Sequence, residues 1–203
     1  MSRYGLLAAA IFAALCILSA VSFAGGLDDE LINAVSDGRT DAVQSLLSRG
    51  ASLNAANKNN ETALMTAAGK GRVDIVNLLL EKGAAVNSKD NDGWTALMYA
   101  AQDGNTDIAR ALMEHGADVN AKDNAGMTAL MPASQNGHAD TVRALIAKGA
   151  DVNAEADNGA TALLLAVQNG QDDVADILRN AGAKPVPEDE GDELIVSLMI
   201  RAA

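Results

Sequence analysis

One cysteine, Cys16, is all the thiol chemistry the chain carries, and it falls within the first 24 of its 203 residues. The remainder can form no disulfide, no thiolate metal site and no cysteine nucleophile. Aromatic residues are almost as scarce. Tyr4, Phe12 and Phe23 lie near the N-terminus, which leaves Trp94 and Tyr99 for everything beyond residue 24. The two histidines, His115 and His138, have no Ser or Cys partner in a nucleophile motif. Cationic charge is short as well, with 15 Lys and Arg against 27 Asp and Glu, a formal charge of −12. Nucleic acid binding needs basic contacts to phosphate, so it is argued against, as is an anionic membrane surface. The balance favours a basic protein partner through steering, although acidic surfaces also serve solubility.

Phosphate and metal motifs are missing too. Gly69-Lys70-Gly71 lacks the spacing and the following Ser or Thr of a phosphate-binding loop. Asp90, Asp92 and Asp123 do not match the spacing of a calcium loop and read as solvated turn residues. Asn60-Glu61-Thr62 fits the glycosylation triplet, but Thr62 is needed to start a helix, so the match reads as coincidence. No catalytic, cofactor or metal residue emerges.

The first 24 residues have the parts of a secretory leader: Arg3, an apolar run from Leu6 to Leu18, and Ser22-Phe23-Ala24 as a small-x-small cleavage triplet. The competing reading is an uncleaved anchor, because no charge falls between Tyr4 and Gly26. Leu15 makes Cys16 a poor lipid-attachment site, since a small residue is wanted there. Both readings place the rest of the chain outside the cytoplasm, in the periplasm or secreted. The short leader points to a bacterial envelope, with a eukaryotic secreted protein as the alternative.

Beyond the leader, one pattern repeats. Thr-Ala-Leu recurs at Thr62, Thr95, Thr128 and Thr161, each 33 residues after the last. Gly71, Gly104, Gly137 and Gly170 follow in phase, then Gly83, Gly116, Gly149 and Gly182, and asparagine recurs at Asn87, Asn120 and Asn153. A period of this size means a solenoid or array. Within the unit 94–126, Thr95 can cap a first helix, whose Leu97, Ala100 and Ala101 share one face. Gly104 stops it. A second helix runs from about Asp107 to Glu114 and stops at Gly116; a loop with a tight turn follows. Helices this short are marginal alone, so each unit must bury its stripe on its neighbours. Small residues at Ala67-Ala68, Ala100-Ala101, Ala133-Ser134 and Ala166-Val167 are expected to allow close approach.

Thr-Ala-Leu-Met, the paired alanines and Gly-Ala-Asp-Val-Asn resemble the ankyrin repeat over about Asp29 to Lys184. The resemblance implies an all-α fold, a right-angled solenoid of helix-turn-helix units and hairpin-like loops. The expected organisation is a signal peptide or anchor at 1–24, an N-terminal capping repeat at 27–60, repeats at 61–93, 94–126 and 127–159, and a degenerate fifth at 160–185. An acidic linker at 186–191 and a C-terminal capping helix at 192–203 complete it, with Leu194, Ile195, Leu198 and Met199 covering the end of the stack. Asp29 is expected to cap the first unit, with Asn33 and Ser45 facing water. Arg179 stands where the other units have Leu80, Met113 and Ile146. Pro132 should distort its helix locally. The family's Thr-Pro-Leu-His turn is altered: Met65, Met98, Met131 and Leu164 hold the histidine slot, which predicts apolar packing there and looser turns.

The family's binding face implies an interaction module without chemistry of its own, monomeric when free and off the membrane if the leader is removed. Its loop tips here are Lys58, Asn59 and Glu61; Asn91, Asp92 and Trp94; Asn124, Ala125 and Met127; Asp157, Asn158 and Ala160. Its first-helix positions are Ser36 and Asp37, Gly69 and Lys70, Gln102 and Asp103, Gln135 and Asn136, and Gln168 and Asn169. Trp94, Tyr99 and Met127 are expected to form a central apolar patch within a polar rim, because hot spots favour central aromatics. The alternative folds Trp94 onto its own turn, over Thr95. Three roles follow: an accessory or inhibitor of a periplasmic enzyme, a secreted effector of a host protein, or a membrane-tethered scaffold.

Overall fold

The computed structural model describes residues 26–185. The leader, the acidic linker and the C-terminal capping segment expected from the sequence lie outside the described residues. Helices come in pairs. Residues 26–36 (α1) pair with Thr40–Ser48 (α2), and Ala63–Gly69 (α3) with Val73–Glu81 (α4). Ala96–Gln102 (α5) pairs with Thr106–Glu114 (α6), Leu130–Gln135 (α7) with Ala139–Ala147 (α8), and Ala162–Gln168 (α9) with Asp172–Asn180 (α10). First helices α3, α5, α7 and α9 touch in succession, as do second helices α2, α4, α6, α8 and α10. No strand forms among the described residues; isolated bridges join Ala56 to Thr62 and Glu155 to Thr161.

The core is a ribbon of side chains running along the stack. Leu64, Leu97, Leu130 and Leu163 are each at most 2 % exposed, and Ala67, Ala100, Ala133 and Ala166 are fully enclosed. Burying one such leucine contributes roughly 1.5–3 kcal/mol. Helices of 6 to 9 residues therefore persist because their apolar faces are covered by neighbours.

Thr62, Thr95 and Thr161 cap their helices by accepting the backbone N–H three residues on, at 3.3, 3.4 and 3.2 Å. Met65 also receives the Thr62 N–H on its Sδ, at 3.3 Å. The methionines in the histidine slot are buried, as the altered turn implied. Asn33 and Ser45 face water, also as expected, and so does Arg179.

Two details differ from the sequence reading. Asp29 caps nothing: α1 is already helical at residue 26, because Leu27 extends the Leu31, Ala34 and Val35 stripe by one more turn. Asp28 makes the tie instead, accepting the Ser52 N–H at 2.7 Å. Asp90 and Asp123 are half-buried and bonded within their turns, not freely solvated. The distortion expected at Pro132 is present: α7 starts only at Leu130 and has no side-chain cap.

Candidate partner-binding face

The loops are held by two ladders that cross from unit to unit. At the hairpin tips Asn91 donates its N–H to Asn59 O at 3.0 Å, Asn124 to Asp92 O at 3.0 Å and Asp157 to Ala125 O at 2.9 Å. Lys89 and Lys122 add donations to Lys122 O and Glu155 O. Nearer the second helices, Asn54, Asn87, Asn120 and Asn153 each accept a backbone N–H from the following unit, at 2.8–2.9 Å. Asn87, Asn120 and Asn153 also donate to Gly116 O, Gly149 O and Gly182 O.

A third row ties the first helices together. Arg72 donates to Ser36 O, Asn105 to Ala68 O and Gly69 O, and Gln171 to Gln135 O. His138 Nε2 stands 2.9 Å from Gln102 O in the same row. This accounts for His138 structurally. His115 does the same locally, with Nδ1 2.9 Å from Ala111 O at the end of α6.

Each tip is braced from inside its own loop. Asn57 Oδ1 accepts from Asn59 and Glu61 N–H, and Asp123 Oδ1 from Ala125 and Met127 N–H. Asp90 does more. Its Oδ1 accepts from Asp92 and Trp94 N–H at 2.9 and 2.8 Å, and its Oδ2 accepts the Tyr99 hydroxyl at 2.7 Å. One carboxylate thus fixes the loop that presents Trp94 and the ring of Tyr99. The two rings meet edge to face, 5.3 Å apart and inclined at 62°, an arrangement worth about 0.5–1.5 kcal/mol beyond burial. Burial pushes the Tyr99 phenol above its ordinary range, and the bond to Asp90 and the charges of Asp90, Glu61 and Asp92 push it further. In the last loop Ala156 replaces the bracing acid, and Asn158 Oδ1 takes the Ala160 N–H instead.

The expected site residues divide into two groups. Glu61, Asn91, Tyr99, Asn124, Asn136 and Asn158 have polar side-chain atoms engaged in holding the fold. Lys58, Lys70, Asp92, Gln102, Asp103, Gln135 and Asp157 are exposed, and among the described residues their side chains enter no hydrogen bond or ion pair. Trp94 and Met127 are half-buried, packed against the core. Tyr99 is half-buried on α5, which packs between α3 and α7. The sequence reading missed Asp90 as a brace, although Asn57, Asp90 and Asp123 stand four residues before Glu61, Trp94 and Met127 at the 33-residue period.

Among the described residues four ion pairs form, Asp37–Arg39, Glu30–Arg49, Asp140–Arg143 and Asp176–Arg179; of the acids on this face only Asp37, in the slot that Lys70 and Asp103 hold in later units, is so paired. Among the described residues no group of three His, Cys, Asp or Glu converges on a metal position, and no helix is long and apolar enough to cross a membrane.

Paired helices stacked in register, with braced hairpin tips, define a helical repeat solenoid, a class that works by presenting surface. The family model for ankyrin repeats matches residues 31–123 and 122–189. The chain belongs to the ankyrin-repeat family. No curated protein matches it. Members of this family serve generally as protein–protein interaction modules.

Proposed function

We propose that the chain is an exported interaction module that docks a second protein on the face of its loop tips and first helices. The observation that carries this reading is the division of labour just described. Every ladder position is bonded from unit to unit, while the side chains of Lys70, Asp92, Gln102, Asp103 and Gln135 enter no hydrogen bond or ion pair among the described residues. Trp94 supports it: a large ring held at the surface by a braced loop and left partly exposed suits an interface. Acids without ion-pair partners favour a basic partner.

Export is supported by Arg3, the apolar run Leu6 to Leu18 and the Ser22-Phe23-Ala24 triplet. Within that setting the reading is an envelope accessory or inhibitor of a periplasmic enzyme, acting by occupation and not by chemistry. N-terminal sequencing of the chain recovered from cells tests the export half: a first residue of Gly25 supports it, and a retained Met1 in the cytoplasmic fraction contradicts it. Affinity capture with the wild type and Trp94→Ala side by side tests the docking half. The partner should be held by the first and lost by the second.

A further inference from the structure

Val167, on α9, stands where the earlier units place Val35, Ala68, Ala101 and Ser134. Those four are fully enclosed, whereas Val167 is 44 % exposed. Other junction contacts stop at the same place. A Cβ on Gly104 or Gly137 would strike His138 or Gln171 of the following unit, and one on Gly93 or Gly126 would strike Asn124 or Asp157. At Gly159 and Gly170, the same positions of the fifth unit, it would meet nothing within 4 Å. A cavity of about 190 Å³ opens on this end, with Val152, Leu163, Leu164, Ala183 and Pro185 in its wall. The stacking face of the fifth unit is therefore intact and uncovered among the described residues.

The period points to what covers it. Counted on by 33, Ile195, Val196, Met199 and Ile200 take the places of Ala129, Leu130, Ala133 and Ser134, all buried. Leu198 takes the place of Tyr99 and Leu165; Ser197, in the place of Met98 and Met131, is the one polar departure. Asp189 takes the place of Asp90 and Asp123, which brace their loops. Reach is sufficient. Pro185 is part of the cavity wall, and the eight residues from 186 to 193 extend to about 28 Å at most, more than twice the diameter of a helix. A second copy of the chain offers a poorer match. The opposite end of the stack carries Glu30, Asn33, Arg39, Ser45 and Arg49 on its rim, a polar surface with little to bury.

We infer that residues 186–200 are the loop and first helix of a sixth unit, and that this helix seats on the uncovered end of α9 as α9 seats on α7. The acidic stretch is then a braced loop, and Asp189 is its brace. The second helix of the fifth unit needs no such cover, because Arg179 ends it on charge where the inner units have Leu80, Met113 and Ile146.

The register gives the test. A Cβ on Gly69 would stand 3.7 Å from Tyr99 Cβ in the next unit, within the separation a disulfide spans. Gln168 and Leu198 are the same pair moved on by three periods. In a Cys16→Ser background, Gln168→Cys with Leu198→Cys should therefore oxidise in glutathione buffer to a monomer with one internal disulfide. Gln168→Cys with Val196→Cys, on the opposite side of the helix, should do so about tenfold more slowly or not at all. Hydrogen exchange supplies a second readout: Met199→Asp should lower protection of the α9 amides by about tenfold or more and leave α3 unchanged. A disulfide that links two chains shows a second copy on this face and overturns the inference. Equal oxidation of the two cysteine pairs, no internal disulfide, or unchanged α9 protection in Met199→Asp overturns it as well. None of these variants touches Trp94, so the docking face stands or falls separately.

Discussion

The backbone N–H of Met131 donates to the carbonyl of Thr128 at 3.1 Å, and the buried Thr128 hydroxyl is left with no partner. In the neighbouring units that carbonyl belongs to the residue four positions on: Thr66 bonds to Thr62 O, Tyr99 to Thr95 O and Leu165 to Thr161 O. Pro132 occupies that place here and has no N–H to give. Met131 turns to the carbonyl instead, and the threonine cap is forfeited.

A pair of substitutions separates this cap from its sisters. Thr95→Val removes a working cap and should cost about 1 kcal/mol. Thr128→Val removes a hydroxyl that has only a desolvation penalty and should be neutral or stabilising. Pro132→Leu, which installs the residue of the last unit, should stabilise by about 1 kcal/mol through the restored backbone bond and cap. Urea unfolding of the three variants checks the order.

Tyr99 makes stability fall at high pH. Its folded-state pKa lies above the unfolded value of about 10. Below pH 10 both states hold the proton and the contribution is complete. As pH rises past about 10 the unfolded chain releases its proton first, so unfolding gains. Urea midpoints of the wild type should drop above that pH, and Tyr99→Phe should flatten the drop. Tyr4 is the only other tyrosine, so a Tyr4→Phe background makes ultraviolet titration report Tyr99 alone.

The asparagine ladder sets how tightly units are coupled. Asn120 accepts from Asp151 N–H and donates to Gly149 O, whereas among the described residues the Asn54 side chain accepts from Ala85 N–H alone. Asn120→Ala should therefore cost about 1–3 kcal/mol and Asn54→Ala about half of that. Hydrogen exchange should show the larger loss of protection at residues 149–151.

Much of this was readable before any coordinates. The period of 33 located the helix pairs because short apolar stripes and stop glycines recur in type as well as place. Asn87, Asn120 and Asn153 recur too, but their reach into the next unit is invisible in one dimension. The tie between first helices was harder still. Arg72, Asn105, His138 and Gln171 share a job yet not a residue type, because the job asks only for an N–H on a side chain of sufficient length. Asp90 looked like a solvated turn acid because nothing in its neighbours shows that the loop folds its N–H groups and the Tyr99 hydroxyl around one carboxylate. Asn60 shows the same limit in reverse. It takes the positive φ that Gly93, Gly126 and Gly159 take in later units, because an asparagine tolerates that region and donates to Asn91 Oδ1 from it. Gly93 has no such latitude: a Cβ there would stand 2.7 Å from Asn124 Oδ1.

The central claim is that a protein partner rests on the face presented by Trp94. Its most direct measurement is the dissociation constant of the captured partner, by calorimetry, for the wild type and a Trp94→Ala variant whose circular dichroism and urea midpoint show it folded. The account predicts weakening of about tenfold or more, the loss of at least 1.4 kcal/mol expected of a central hot spot. An unchanged constant in the folded variant would contradict it.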